Sequence, residues 1–258
     1  MDTTQSSGLP ASPPPSQGAR DPRTLPAGAG ASFWSEAWRI FSAAPGIWIL
    51  ILIVYVVISI VLSVIPVIGS IAHAVLTPVF TGGVMLGCHA LARGEPLSLE
   101  HLFEGFKGRR FGPLAIVGLI LLAMWIVFFV IAFAGTFLTL GISGLSALSA
   151  QNDPYAAAGA MGVSFFALLV VLLVISCLIV MAYWFAPALV VLDGEDPVAA
   201  LKKSFAACWT NIGPFLLYGL IFIGLAILAS IPFGLGWFVL GPMIAGSCYA
   251  GWRQIFSG

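Results

Sequence analysis

Charge is what this 258-residue chain most lacks: Asp, Glu, Lys and Arg make up 8% of it, against about a quarter in soluble domains. Ten basic residues balance ten acidic ones, so no global field points to nucleic acid. The deep apolar segments hold no Asp, Glu, Lys or Arg. Proton relays, ion pathways and intramembrane proteases need ionisable groups at such depth, and these classes lose their support. No GxxxxGK[ST] loop, dinucleotide fingerprint or GxSxG-like serine occurs. The four cysteines, Cys88, Cys177, Cys208 and Cys248, never form a CxxC pair or a metal spacing and read as small apolar packing residues. His73 and His89 have no second histidine or carboxylate at helical spacing, and His101, between Glu100 and Glu104, reads as a solvated polar residue. No cofactor, metal or nucleic-acid partner is expected. The first thirty residues lack the apolar core of a signal peptide.

What remains is 60% hydrophobic with a mean hydropathy of +1.08, which defines an all-α integral membrane protein. Six apolar runs are long enough to cross a hydrocarbon core of about 30 Å: about 46–65, 71–92, 113–138, 165–192, 212–231 and 235–256. Residues 1–31, rich in Pro, Ser, Gly and Ala, read as a disordered tail, and residues 32–258 as the membrane domain. Its "PASPPP" stretch also suits a polyproline ligand. Loss of residues 1–30 is expected to leave stability unchanged.

The ten cations, Arg20, Arg23, Arg39, Arg93, Lys107, Arg109, Arg110, Lys202, Lys203 and Arg253, all fall in segments that six spans put on one side. Asp153 is the one charge in the opposite loops. The positive-inside bias then makes both termini cytoplasmic.

The chain also repeats itself. "GEPLSLEHLFEGFKGRRFGPLAIVGL" from Gly94 aligns with "GEDPVAALKKSFAACWTNIGPFLLYGL" from Gly194 at a shift of 101. Pro96 meets Pro197, Pro113 meets Pro214 and Gly118 meets Gly219. Each copy reads as an amphipathic interfacial helix before a span, and "SFWSEAWRIF" from Ser32 is a third. The even spans "TPVFTGGVMLG" and "GPMIAGSCYAG" align at a shift of 164, with Pro78 on Pro242 and Gly87 on Gly251. The architecture expected is three parallel units, each an interfacial helix followed by a two-span hairpin.

Candidate site residues follow from position. Lys107, Arg109, Arg110, Lys202 and Lys203 flank the third and fifth spans, where cations orient a span and attract anionic headgroups. Orientation alone explains them; lipid contact comes with it. Gly83 with Gly87, and Ser247 with Gly251, form small-xxx-small pairs suited to close helix packing. Asn211 and Pro214 are expected to cap a helix or close the turn into the fifth span. Trp34, Trp38, Trp48, Trp209, Trp237 and Trp252 lie near span ends, as an aromatic belt does.

The stretch "MAYWFAPALVVLDGEDPVAALKKSFAACWTNIGPFLLYGL", with "GVMLGCHALARGEPLSLEHLFEGF" upstream, resembles an uncharacterised group of six-span proteobacterial inner-membrane proteins. That group is similar to the membrane domain attached to some glycerophosphoryl diester phosphodiesterases. The resemblance covers about residues 33–257 and implies a bacterial inner membrane location and lipid-related work. The catalytic phosphodiesterase domain has no counterpart here. A non-enzymatic component that interacts with membrane lipids or membrane proteins is the expectation. The alternative is a transporter or channel for an apolar or amphipathic solute. An enzyme would need Asn211, His89 and the basic loop residues to converge on one cytoplasmic pocket.

Overall fold

The computed structural model describes residues 21–149 and 154–257. Among them the fold is helical without strands, in the order α1 (Ala29–Ala43), α2 (Pro45–Ser63), α3 (Ile68–Ala92), α4 (Phe111–Ser149), α5 (Pro154–Tyr183), α6 (Ala186–Leu192), α7 (Pro197–Thr210), α8 (Ile212–Ser230) and α9 (Trp237–Phe256). Two 3-10 helices, Leu99–Phe106 and Gly108–Arg110, lead into α4. Of the tail, residues 1–20 lie outside the described residues. Residues 21–28 precede α1, which starts at Ala29, three residues before the expected domain boundary.

Among the described residues, five segments are long and apolar enough to cross a membrane: Pro45–Ser63, Ile68–Ala92, Gly108–Gly141, Gly162–Leu192 and Ile212–Ser230. The sixth expected run forms α9, 20 residues long, but is less apolar because Arg253 and Gln254 stand in its last turns and Gly, Ser and Tyr are interleaved. It is enclosed instead: Met243, Gly246, Ser247, Tyr249, Gly251 and Ile255 are all buried. A helix ringed by protein does not have to present lipid-compatible side chains.

Two expected boundaries move. Helix α4 continues beyond Leu138 to Ser149, and its partner starts at Pro154 rather than near Phe165. The alanines and leucines of these extensions favour helix even where interleaved Gly and Ser lower both hydropathy and propensity. The expected fourth span breaks between Tyr183 and Ala186, because Pro187 has no N–H and its ring crowds the carbonyl four residues back. The side chain of Ser204 mends the break. Its Oγ accepts from the Phe185 N–H at 2.9 Å and donates to the Met181 carbonyl at 2.8 Å.

The short helices ahead of the hairpins pack in one pattern. The 3-10 helix Leu99–Phe106 lies on α3, and α7 lies on α5 and α6. Helix α1 lies on α9 and α8, at the far end of the chain. Each docks on the second half of the hairpin before it, and the first closes onto the last. Helices α3, α6 and α9 meet at the centre, around Phe33, Met85, Phe185, Leu189, Tyr249 and Ile255, all essentially inaccessible. The two ends of the described chain touch: the Arg23 N–H donates to the Ile255 carbonyl at 3.1 Å.

Candidate functional site

The basic segments sit at the ends of the spanning helices, as their sequence positions require. Lys107 and Arg110 both reach Glu104, at 4.0 and 3.7 Å. Lys203 pairs with Glu195 at 2.5 Å. Arg109 and Lys202 are exposed and form no ion pair among the described residues. The cationic surface is thus only partly neutralised, and exposed pairs of this kind contribute little to stability.

Asn211 is fully buried at the junction of α7 and α8. Its Nδ2 donates to the Ala207 carbonyl at 2.8 Å, one turn back in α7, and to the Arg23 carbonyl at 3.0 Å. Its Oδ1 accepts from the Leu25 N–H at 2.8 Å. It closes the turn and also holds the N-terminal segment, while making no side-chain cap on α8. Pro214 is buried one turn on, and its carbonyl faces Gly30, where a Cβ would collide.

The small-residue pairs meet different neighbours. A Cβ on Gly83 would fall on the backbone carbonyls of His101 and Leu102, and one on Gly87 would strike Leu97. These glycines seat the 3-10 helix. Ser247 instead hydrogen-bonds the Tyr218 hydroxyl at 2.9 Å and donates to the Ile244 carbonyl at 2.7 Å. A Cβ on Gly251 would press on the ring of Phe185, at 3.1 Å.

The aromatic belt is divided. Trp38, Trp209 and Trp237 are exposed, but Trp34, Trp48 and Trp252 are buried. Their indole N–H groups donate inward, to the Tyr218 carbonyl, the Ile40 carbonyl and the Asp193 carboxylate, at 3.2, 3.1 and 2.7 Å. Position near a span end does not distinguish a tryptophan facing lipid from one inside the bundle.

Asn211, His89 and the basic loop do not converge on one pocket among the described residues. His89 Nδ1 lies 3.1 Å from the Tyr249 hydroxyl. Near the same end of α9, Glu36 bridges Arg39 and Arg253, with its side chain 10% exposed. Burial pushes the Asp193 carboxyl above its usual pKa, and Glu195 adds to this, while the Trp252 hydrogen bond and Lys203 oppose it. The Glu36–Arg253 and Asp193–Trp252 pairs were invisible in the sequence, because their members are too far apart for local spacing to connect them. Among the described residues, no group of three or more His, Cys, Asp and Glu is arranged to hold a metal ion.

These helices and apolar faces define a multi-pass transmembrane protein, helical throughout its described residues. The chain belongs to the family described as Protein of unknown function (DUF975), whose model matches residues 40–256. It is 30% identical over 219 residues to a probable inner membrane protein of Burkholderia thailandensis, covering 82% of this chain and 77% of that one. No solved structure matches significantly.

Proposed function

We propose that this protein is a non-enzymatic component of a bacterial inner membrane that engages membrane lipids through a cationic cytoplasmic rim. It would cross six times as three interfacial-helix and hairpin units, with both termini in the cytoplasm. The observation that carries the reading is the charge distribution. The deep parts of the spans hold no Asp, Glu, Lys or Arg, while Arg109, at the start of the third, and Lys202, in α7 ahead of the fifth, are exposed and form no ion pair among the described residues. Such cations attract anionic headgroups at about 1 kcal/mol each. Contact between Arg23 and Ile255 supports termini on one side, and the shared docking of the three short helices supports the units. The likeness to the membrane domain joined to some glycerophosphoryl diester phosphodiesterases adds to the lipid reading.

Native mass spectrometry with co-extracted lipids tests it, comparing wild type with the Lys107→Gln, Arg109→Gln, Arg110→Gln triple variant. An anionic lipid retained by wild type and lost in the variant is the expected result. No selective lipid in either sample would refute the lipid reading and turn attention to protein partners. A C-terminal fluorescent-protein fusion should fluoresce. Active alkaline phosphatase fused at the same point would place that terminus outside.

A further inference from the structure

The internal repeat exposes an asymmetry between two seams that should be alike. In the second unit, Gly118 of α4 lies against α3: a Cβ there would overlap the Val75 backbone. The equivalent residue in the third unit is Gly219 of α8, and the equivalent neighbour is α5. Nothing lies within 4 Å of a Cβ built on Gly219. Helices α3 and α4 pack along their length, whereas α5 and α8 barely meet. The seam keeps its small residue but not its partner.

An apolar groove of about 390 Å³ occupies the gap. Leu173, Cys177 and Val180 of α5 form one wall, and Ile212, Phe215 and Leu216 of α8 the other. Gly219 continues the face set by Ile212, Phe215 and Leu216 at helical spacing. Trp184 also lines the groove, and its indole N–H has no acceptor among the described residues. From Leu173 to Trp184 the helical rise is about 16 Å, half of a hydrocarbon core of about 30 Å and so one leaflet deep.

We infer that the α5–α8 seam is a binding groove for one acyl chain of a membrane phospholipid in the leaflet on the α7 side. The groove is continuous with the lipid-facing surface: Leu173 and Leu216 are 69% and 70% exposed. Its volume falls at the lower end of ligand sites, about 300–1,000 Å³. The unpaired Trp184 N–H supplies a donor for a lipid ester carbonyl. This proposal rests on the lipid-engaging reading above and adds a chain site to it.

The test uses the full chain in phosphatidylethanolamine and phosphatidylglycerol vesicles. The probe is a phosphatidylethanolamine with a diazirine near the end of one acyl chain, and labelled residues are mapped by mass spectrometry. Labelling should concentrate on the deep end of the groove, around 173–177 and 216–219, at least about fivefold above the exposed face of α4 around Ile126 and Phe129. Gly219→Phe, which grows into open space, should bring the groove down to the α4 level. Ser176→Phe, on the opposite wall, should do the same if the first variant is poorly folded. Uniform labelling of every lipid-facing helix, or unchanged labelling in well-folded filled variants, overturns the proposal. So does a cysteine cross-link showing α5 closed on α8, or α8 on a second copy. Groove labelling that survives in the Lys107, Arg109 and Arg110 triple Gln variant separates this site from the basic rim, so either can fail alone.

Discussion

Replacing Asn211 by Ala, alone and in a chain lacking residues 1–26, measures how firmly the N-terminal segment is tied to the bundle. The side chain makes long-range bonds to the Leu25 N–H and the Arg23 carbonyl, and a local one to the Ala207 carbonyl. A fourth contact, to Thr210 Oγ1 at 3.2 Å, involves a partner that has other carbonyls to bond. At about 1 kcal/mol per neutral bond, Asn211→Ala should lose about 3 kcal/mol in the full chain. Without residues 1–26 two of the bonds are already gone, so the same change should lose about 1 kcal/mol. The coupling in the double-mutant cycle is then about 2 kcal/mol. Equilibrium unfolding in mixed micelles reads all four corners, and hydrogen exchange of residues 21–28 should rise in Asn211→Ala. A coupling near zero, with exchange unchanged, would refute the latch. Set against the sequence expectation that removal through residue 30 is neutral, the bonds from Arg23 and Leu25 to Asn211 predict a measurable loss of stability.

Two further outcomes follow from packing and from titration. Gly83→Ala and Gly118→Ala force a methyl onto backbone atoms and should each destabilise by about 1–3 kcal/mol. Gly219→Ala, with open space and better helix propensity, should be neutral or gain up to about 1 kcal/mol; equal loss at all three would undo the seam asymmetry. The raised pKa of Asp193 penalises its ionised form, so its contribution is most favourable below the usual 3.8 and is lost as pH rises through the elevated folded value. Asp193→Asn keeps an acceptor for the Trp252 N–H and should be as stable as wild type or slightly more so at neutral pH, the gap closing below pH 3.8. A less stable variant at neutral pH would show that the charge itself contributes, through Lys203.

Class and span positions were legible because length and hydropathy are local quantities, and five runs reappear as helices capable of crossing. What failed to show were properties set by distant neighbours. Helix α9 was read by its apolar run, but its burial depends on α1, nearly the whole chain away. Asn211 was read as a local turn residue, whereas two of its bonds go to residues 186 and 188 positions away. Gly118 and Gly219 look identical in sequence; only the placement of α5 separates them.

The closure of α1 onto α9 also sets a timetable for synthesis. Helix α1 ends at Ala43 and α9 begins at Trp237, so roughly 200 residues must be made between them, about 10–40 s at 5–20 residues per second. Until α8 and then α9 are made, Phe33, Trp34, Ile40 and Phe41, buried in the finished protein, lack the helices that cover most of this face. A nascent chain would keep this face against the membrane surface or an insertion factor until the last hairpin arrives. Early truncations would then be sensed by the cell as exposed apolar surface, making the final helix the checkpoint for the first.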